Sequence, residues 1–294
     1  VILYNDLKRY LITNAPFELN HTIESVKIIE PSSPMPTQVT LYGSITEQAA
    51  LLPEISNPTV KRIYCMAITD PTSGFNDGQP SSWSAAVDKI SAEGKKRLFI
   101  ISGGNVEEGE LKTSGYPNAC LNKSIEDPAQ AWNALTVGAY SIDSTIQPGR
   151  ETKGYYPVAQ YGELSPYSST SNEWKTQWPI KPEVVCDGGN VASDGTNFIQ
   201  GMDELSKLTL SKDINRRLFD TIWATSAATA QCSYISAELM AAYPSMRPET
   251  LRALIVHSAR WTTQMINQFG VPDTKTQGRK KLLRTCGYGV PNLE

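Results

Sequence analysis

Apolar and polar positions along this chain do not keep one period. Short solid apolar runs alternate with stretches that repeat like a helix. VKRIYCMAIT (60–69) reads as a strand entering a core, and RLFIISGGN (97–105) as a second that ends in glycines. NALTVGAY (133–140) and PEVVC (182–186) read as a third and a fourth, the last followed by Gly188-Gly189. In WSAAVDKISAEG (83–94), Trp83, Ala86, Val87 and Ile90 recur at i, i+3, i+4 and i+7, one face of a helix that Gly94 would stop. TIWATSAATAQCSYISAELMAAYP (221–244) predicts a longer buried helix that begins near Ser226 and ends at Pro244. PETLRALIVHSA (248–259) predicts another, with Pro248 at its first position and Leu251, Leu254 and Ile255 along one side. Short continuous strands alternating with helices predict a mostly parallel sheet covered on both faces, a three-layer, doubly wound α/β fold.

The rest of the pattern is less regular. SVKIIE (25–30) reads as a strand and TEQAALLPEI (46–55) as a helix. Pro, Gly, Asn and Asp make DPTSGFNDGQPSS (70–82) a loop, and 141–180 is loop-rich around SSTSNEW. Residues 193–220 read as a surface insertion with one amphipathic turn in LSKLTLSKDINRRLF. No linker is long enough to divide the chain, so 1–294 is read as one domain.

Composition narrows the function. The chain has 294 residues, 40% hydrophobic and 19% charged, with a net charge of −3 and no block of basic residues. That argues against nucleic acid or an anionic membrane as partner. No apolar run approaches the roughly 18 residues of a membrane span. Cys65, Cys120, Cys186, Cys232 and Cys286 are scattered, odd in number and without C-x-x-C spacing. They read as reduced thiols, which favours the cytoplasm over secretion, rather than as a disulfide set or zinc site. Asp70, Asp77 and Asp187 lack a calcium-loop register and read as turn residues, so no metal is expected.

The candidate chemistry lies where strands end, since ligands of such sheets bind at the carboxyl edge. The first strand ends at Met66-Ala67-Ile68-Thr69, the second at Ser102-Gly103-Gly104-Asn105, and the helix starting near Ser226 would aim its N-terminus at the same edge. A nucleophilic serine needs donors for a developing oxyanion. A helix start supplies unpaired N–H groups, and an asparagine amide can add one. A serine cap and a turn asparagine are the plainer readings of Ser226 and Asn105.

Five ordered segments carry a resemblance. Ala224-Thr225-Ser226-Ala227-Ala228 resembles Gly-Thr-Ser-x-Ala of the subtilisin-like serine proteases, and Ser102-Gly103-Gly104-Asn105 resembles their Ser-Ala-Gly-Asn oxyanion segment. Lys181-Pro182-Glu183-Val184-Val185 is similar to their Lys-Pro-Asp-Val strand. Val137-Gly138-Ala139 and Gly287-Tyr288-Gly289-Val290-Pro291 match further family segments, so the likeness covers roughly residues 60–293. It implies the C-terminal part of a subtilase catalytic domain, with no cofactor and a peptide or protein as substrate. Ser226 would be the nucleophile and Asn105 the oxyanion donor. Met66, Ala67, Ile68, Thr69, Ser102, Gly103, Gly104 and Thr225 would line the substrate site.

Three departures stand beside the likeness. Ala224 replaces a glycine, Thr229 replaces the usual proline, and no His-Gly-Thr motif is present. His21 reads as surface or structural and His257 as buried or capping, so neither is the family's general base. VILYNDL (1–7) resembles the end of the family's histidine helix, and the chain opens on Val1. The catalytic Asp and His are therefore expected in a segment upstream, leaving the fold incomplete at its N-terminus and these residues alone inactive. Two other functions stay open: a pseudoprotease that binds without cleaving, and an α/β-hydrolase pairing Ser226 with His257.

Overall fold

A computed structural model of the chain describes residues 1–14, 16, 18–28, 37–72, 77–94, 96–149, 152–270 and 277–292. Its elements run α1 (Leu7–Thr13), α2 (Tyr42–Ser56), β1 (Ile63–Met66), α3 (Ser82–Ala92), β2 (Leu98–Ser102), α4 (Glu108–Ser114), α5 (Asn118–Asn122) and β3 (Leu135–Tyr140). There follow β4 (Tyr156–Pro157), β5 (Val184–Asp187), β6 (Ala192–Ser193), β7 (Phe198–Ile199), β8 (Lys207–Leu210), β9 (Phe219–Ile222), α6 (Ala224–Ala242), α7 (Pro248–Ser258), α8 (Thr263–Phe269) and α9 (Gln277–Cys286).

Strands β1, β2, β3 and β5 form a parallel sheet in that order. Every residue of β2 is buried because helices cover both faces. On one face Phe99 and Ile101 pack with Trp83, Val87 and Ile90 of α3. On the other Ile100, Val137 and Val184 meet Ala228 and Cys232 of α6 and Leu251 and Ile255 of α7. This is the expected three-layer α/β arrangement. Small residues such as Ala227, Ala228 and Cys232 bring α6 close to the sheet. The hydroxyls buried beside them bond back to helix carbonyls: Thr229 to Thr225 (2.7 Å), Ser233 to Thr229 (2.9 Å) and Ser236 to Cys232 (2.7 Å).

Several expectations need correction. Residues 25–28 form no strand; residues 29 and 30 of that segment, like 73–76 of the 70–82 loop, lie outside the described residues. Leu254 is 39% exposed, so α7 buries a narrower stripe than its sequence suggested. The loop-rich stretch after β3 is not superficial. Residues 165–171 are buried, and their hydroxyls satisfy backbone groups of neighbouring segments: Ser165 donates to Gly189 O (2.7 Å), Thr170 to Cys120 O (2.9 Å), and Ser168 Oγ accepts from Ala139 N (3.0 Å).

The segment 193–220 holds a short 3-10 turn at Asp203–Leu205 with Leu205 buried, and otherwise forms β7, β8 and the start of the β8–β9 antiparallel hairpin. The hairpin roots itself inward. Lys207 is 1% exposed, and its ammonium meets Asp187 Oδ2 at 2.5 Å, while Asp187 Oδ1 accepts from Gly189 N at 3.1 Å. Asp6, the cap of α1, accepts from Leu208 N (3.0 Å) and joins the N-terminal segment to the same hairpin.

Removing one member of a buried ion pair strands the other charge away from water. Lys207→Met is expected to destabilise the chain by about 3–5 kcal/mol in urea unfolding. Adding Asp187→Asn, which keeps the acceptor for Gly189, should recover most of that loss.

Candidate active site

The first turn of α6 is fastened to the ends of three strands of the sheet. Ala224 N donates to Gly188 O (2.8 Å), just past β5. Thr225 Oγ1 lies 3.1 Å from Gly104 O, just past β2, its single proton shared between that oxygen and Asn105 Oδ1, and Ser226 Oγ donates to Ala67 O (3.3 Å), just past β1. The approach is close. A Cβ on Gly188 would sit 2.8 Å from Ala224 O, and one on Gly104, whose φ is +100°, would collide with Glu126.

Ser226 is the third residue of the helix, not its cap. The cap is Trp223, which makes no side-chain capping bond. The N–H groups of Ala224, Thr225 and Ser226 therefore lack partners inside the helix and face the strand ends with the positive end of the helix dipole. Ser226 is half-buried, so its hydroxyl stays reachable.

Asn105 lies beside this turn. Its Oδ1 accepts from Thr225 N (3.1 Å) and Thr225 Oγ1 (2.6 Å). With the carbonyl side of the amide doubly held, its NH₂ faces the other way as a fixed donor. Asn105 and Thr225, the residue before Ser226, are 120 positions apart in the chain and thus meet at one edge of the sheet.

The two strand ends form facing walls. Ala67 is exposed, Ile68 and Thr69 are half-buried, and Met66 is buried in the core. Ser102 is 2% exposed, and Gly103 and Gly104 are buried. Of the residues expected to contact substrate, Thr225 is placed differently: it is fully buried and its hydroxyl is committed to Gly104 and Asn105, so it orients the amide.

A residue that the sequence reading did not single out completes the site. Glu126 N donates to Gly103 O (2.9 Å), and Thr69 Oγ1 donates to Glu126 Oε2 (2.6 Å), so its carboxylate links the two walls. Burial holds this carboxyl above the usual range, against the opposing pull of the Thr69 hydroxyl and the Lys123 ammonium. One acid in the irregular SIEDPAQ loop has no period or spacing that announces it.

Neither histidine serves the site. His21 is half-buried, its Nε2 2.8 Å from Ile2 O and its Nδ1 3.2 Å from Glu238. His257, expected to be buried or capping, is exposed in the last turn of α7. Val1 to Asn5 form a turn closed by Asn5 N to Val1 O (2.7 Å), with Asn5 at φ +60°. No group of three or more His, Cys, Asp or Glu among the described residues is placed to hold a metal ion.

The chain is similar to known proteins. The family model described as "Subtilase family" matches residues 2–289. This chain is a subtilase. The family is one of serine proteases. "Uncharacterized protein y4bN" of Sinorhizobium fredii is 26% identical over 251 residues, 79% of this chain and 55% of that protein. The subtilase chain therefore spans about half the length of that curated relative. The solved structure of Sphericase matches with 17% identity and a TM-score of 0.48, over 86% of this chain and 63% of that one.

The subtilase's departure at position 224 has a physical consequence. Ala224 keeps a φ of +65°, a conformation that costs an L residue about 1–2 kcal/mol and a glycine almost nothing. Part of that gain is offset by glycine's greater freedom in the unfolded chain. Ala224→Gly is expected to raise stability by about 0.5–1 kcal/mol in thermal or urea unfolding, with no change in fold.

Proposed function

We propose that this subtilase is the greater part of a serine endopeptidase in which Ser226 attacks the scissile carbonyl. The carbonyl lies between Ser226 Oγ and the Asn105 amide. As the bond forms, negative charge moves onto its oxygen, where Asn105 Nδ2 and the Ser226 N–H stabilise it. The observation that carries this reading is the Thr225–Asn105 lock, which aims a donor beside the serine before any substrate arrives. Preorganisation of that kind requires no rearrangement during reaction.

The proton on Ser226 needs an acceptor. Its hydroxyl here bonds to Ala67 O rather than to a histidine. We assign the general base and its orienting acid to a segment outside these 294 residues, so this chain alone does not turn over peptides. The five unpaired cysteines fit a reducing compartment.

A pseudoprotease is the second reading, and the Ala224 replacement is what favours it. Against it, Ala224 holds the left-handed conformation that a glycine would take, so the serine's placement survives the change. An α/β-hydrolase does not fit. Its nucleophile elbow joins a central parallel strand to a helix, whereas β9, which precedes Ser226, pairs antiparallel in a separate hairpin.

The test is covalent labelling of the longer polypeptide, with the upstream segment included, by a peptidyl phosphonate directed at serines. Mass spectrometry should find the adduct on Ser226, and Ser226→Ala should abolish it. Asn105→Ala should slow labelling by about 10²- to 10³-fold, a magnitude taken from loss of the equivalent donor in subtilisin rather than from this chain's geometry. Absence of labelling in the longer polypeptide favours the pseudoprotease.

A further inference from the structure

Glu126 is an acid at a place where ordinary packing would put an apolar side chain. Its side chain is only 9% exposed. A Cβ on Gly104 would lie 2.5 Å from its Cδ and 2.6 Å from its Oε2, so the carboxylate fills the space that this glycine leaves open. Its other flank is the Thr69 hydroxyl, 2.6 Å away. The carboxylate thus forms the floor between the segments that carry Ala67 and Gly104.

Geometry decides what reaches that floor. The carbonyl under attack lies between Ser226 and Asn105. Ser226 contacts the end of the first wall at Ala67, and Asn105 ends the second wall directly after Gly104. The substrate Cα is one bond from its carbonyl carbon, so the side chain it carries enters the gap between the walls. A long side chain reaching inward ends at Glu126.

Local charge then sets the preference. Lys123 Nζ lies 3.4 Å from Glu126 Oε1 and 3.1 Å from Glu110 Oε1. One ammonium serves two carboxylates, so the cluster carries a net charge of −1. The Thr69 hydroxyl, the Asn105 N–H and Lys123 already face this carboxylate, but the one full counter-charge among them is shared with Glu110, and a second cation would add another. An apolar side chain would bury the same carboxylate further with nothing in return.

Resting on the endopeptidase reading of Ser226, we propose that Glu126 makes this cleft a receptor for a cationic side chain, so that the substrates are peptides with lysine or arginine immediately before the cleaved bond. The long reach and terminal charge of those residues match a deep floor with an acid at its end.

The experiment compares two peptidyl phosphonates on the longer polypeptide, identical except that one bears a guanidinium side chain next to phosphorus and the other a benzyl group. Labelling of Ser226 by the cationic reagent should be at least about tenfold faster. Glu126→Gln keeps the acceptor for Thr69 and should cut the ratio of cationic to benzyl labelling rates by about 10- to 100-fold. Three results overturn the proposal: faster labelling by the benzyl reagent, an unaltered cationic preference in the variant, or an equal fall in both rates, which marks Glu126 as a wall support only. Thermal melting of the variant confirms that it folds.

Failure of both reagents would sink the endopeptidase reading without deciding this one. Benzamidine binding to the 294-residue chain, followed by calorimetry, then decides it. Binding that weakens about tenfold in Glu126→Gln sustains the cationic floor, and no binding to the unaltered chain overturns it.

Discussion

Everything at this site depends on one constraint: the first turn of α6 is bonded to the backbone past β1, β2 and β5 at once. A helix start carries unpaired N–H groups, and strand ends carry unpaired carbonyls. Bringing them together satisfies both and fixes the helix against the sheet. The same bonds set Ser226 beside Ala67 and lock Asn105 through Thr225. The contacts that hold the helix to the sheet therefore also fix the placement of Ser226 and Asn105. That requirement also explains the local tolerance of strain, since Ala224 is held at φ +65° by Gly188 and the strand ends around it.

The polar interior follows the same logic. Irregular chain at 165–171 is buried: its backbone pairs through isolated bridges and single bonds, and its serine and threonine hydroxyls satisfy backbone groups of neighbouring segments. The β8–β9 hairpin is anchored by an ion pair at Asp187, directly beyond a central strand. Glu126 is another charge kept from solvent, but its partner Lys123 is shared with Glu110.

Much of the fold was legible in the chain. Strands β1, β2, β3 and β5 are nearly solid apolar runs, and the Trp83, Val87 and Ile90 stripe of α3 faces the sheet as its spacing demands. Periodicity failed where side-chain hydroxyls or ion pairs substitute for apolar burial. The serine-rich 165–171 segment read only as loop, with nothing to mark its burial, and 193–220 read as a surface insertion because Lys207 gave no hint of a buried partner. Leu254 misled in the opposite sense, since an apolar residue on the right side of a helix still needs something to pack against.

The sequence by itself determined the α/β class, the four strands of the parallel sheet and the family, because these are encoded in residue type at close spacing. Only the tertiary structure decided that Thr225 positions Asn105 rather than meeting substrate, that neither histidine reaches Ser226, and that Glu126 closes the floor between two walls. Those facts depend on groups separated by 57 positions, as Thr69 and Glu126 are, or by 120, as Asn105 and Thr225 are. A linear pattern reports which face a residue prefers. Only the packed chain decides which distant group waits there.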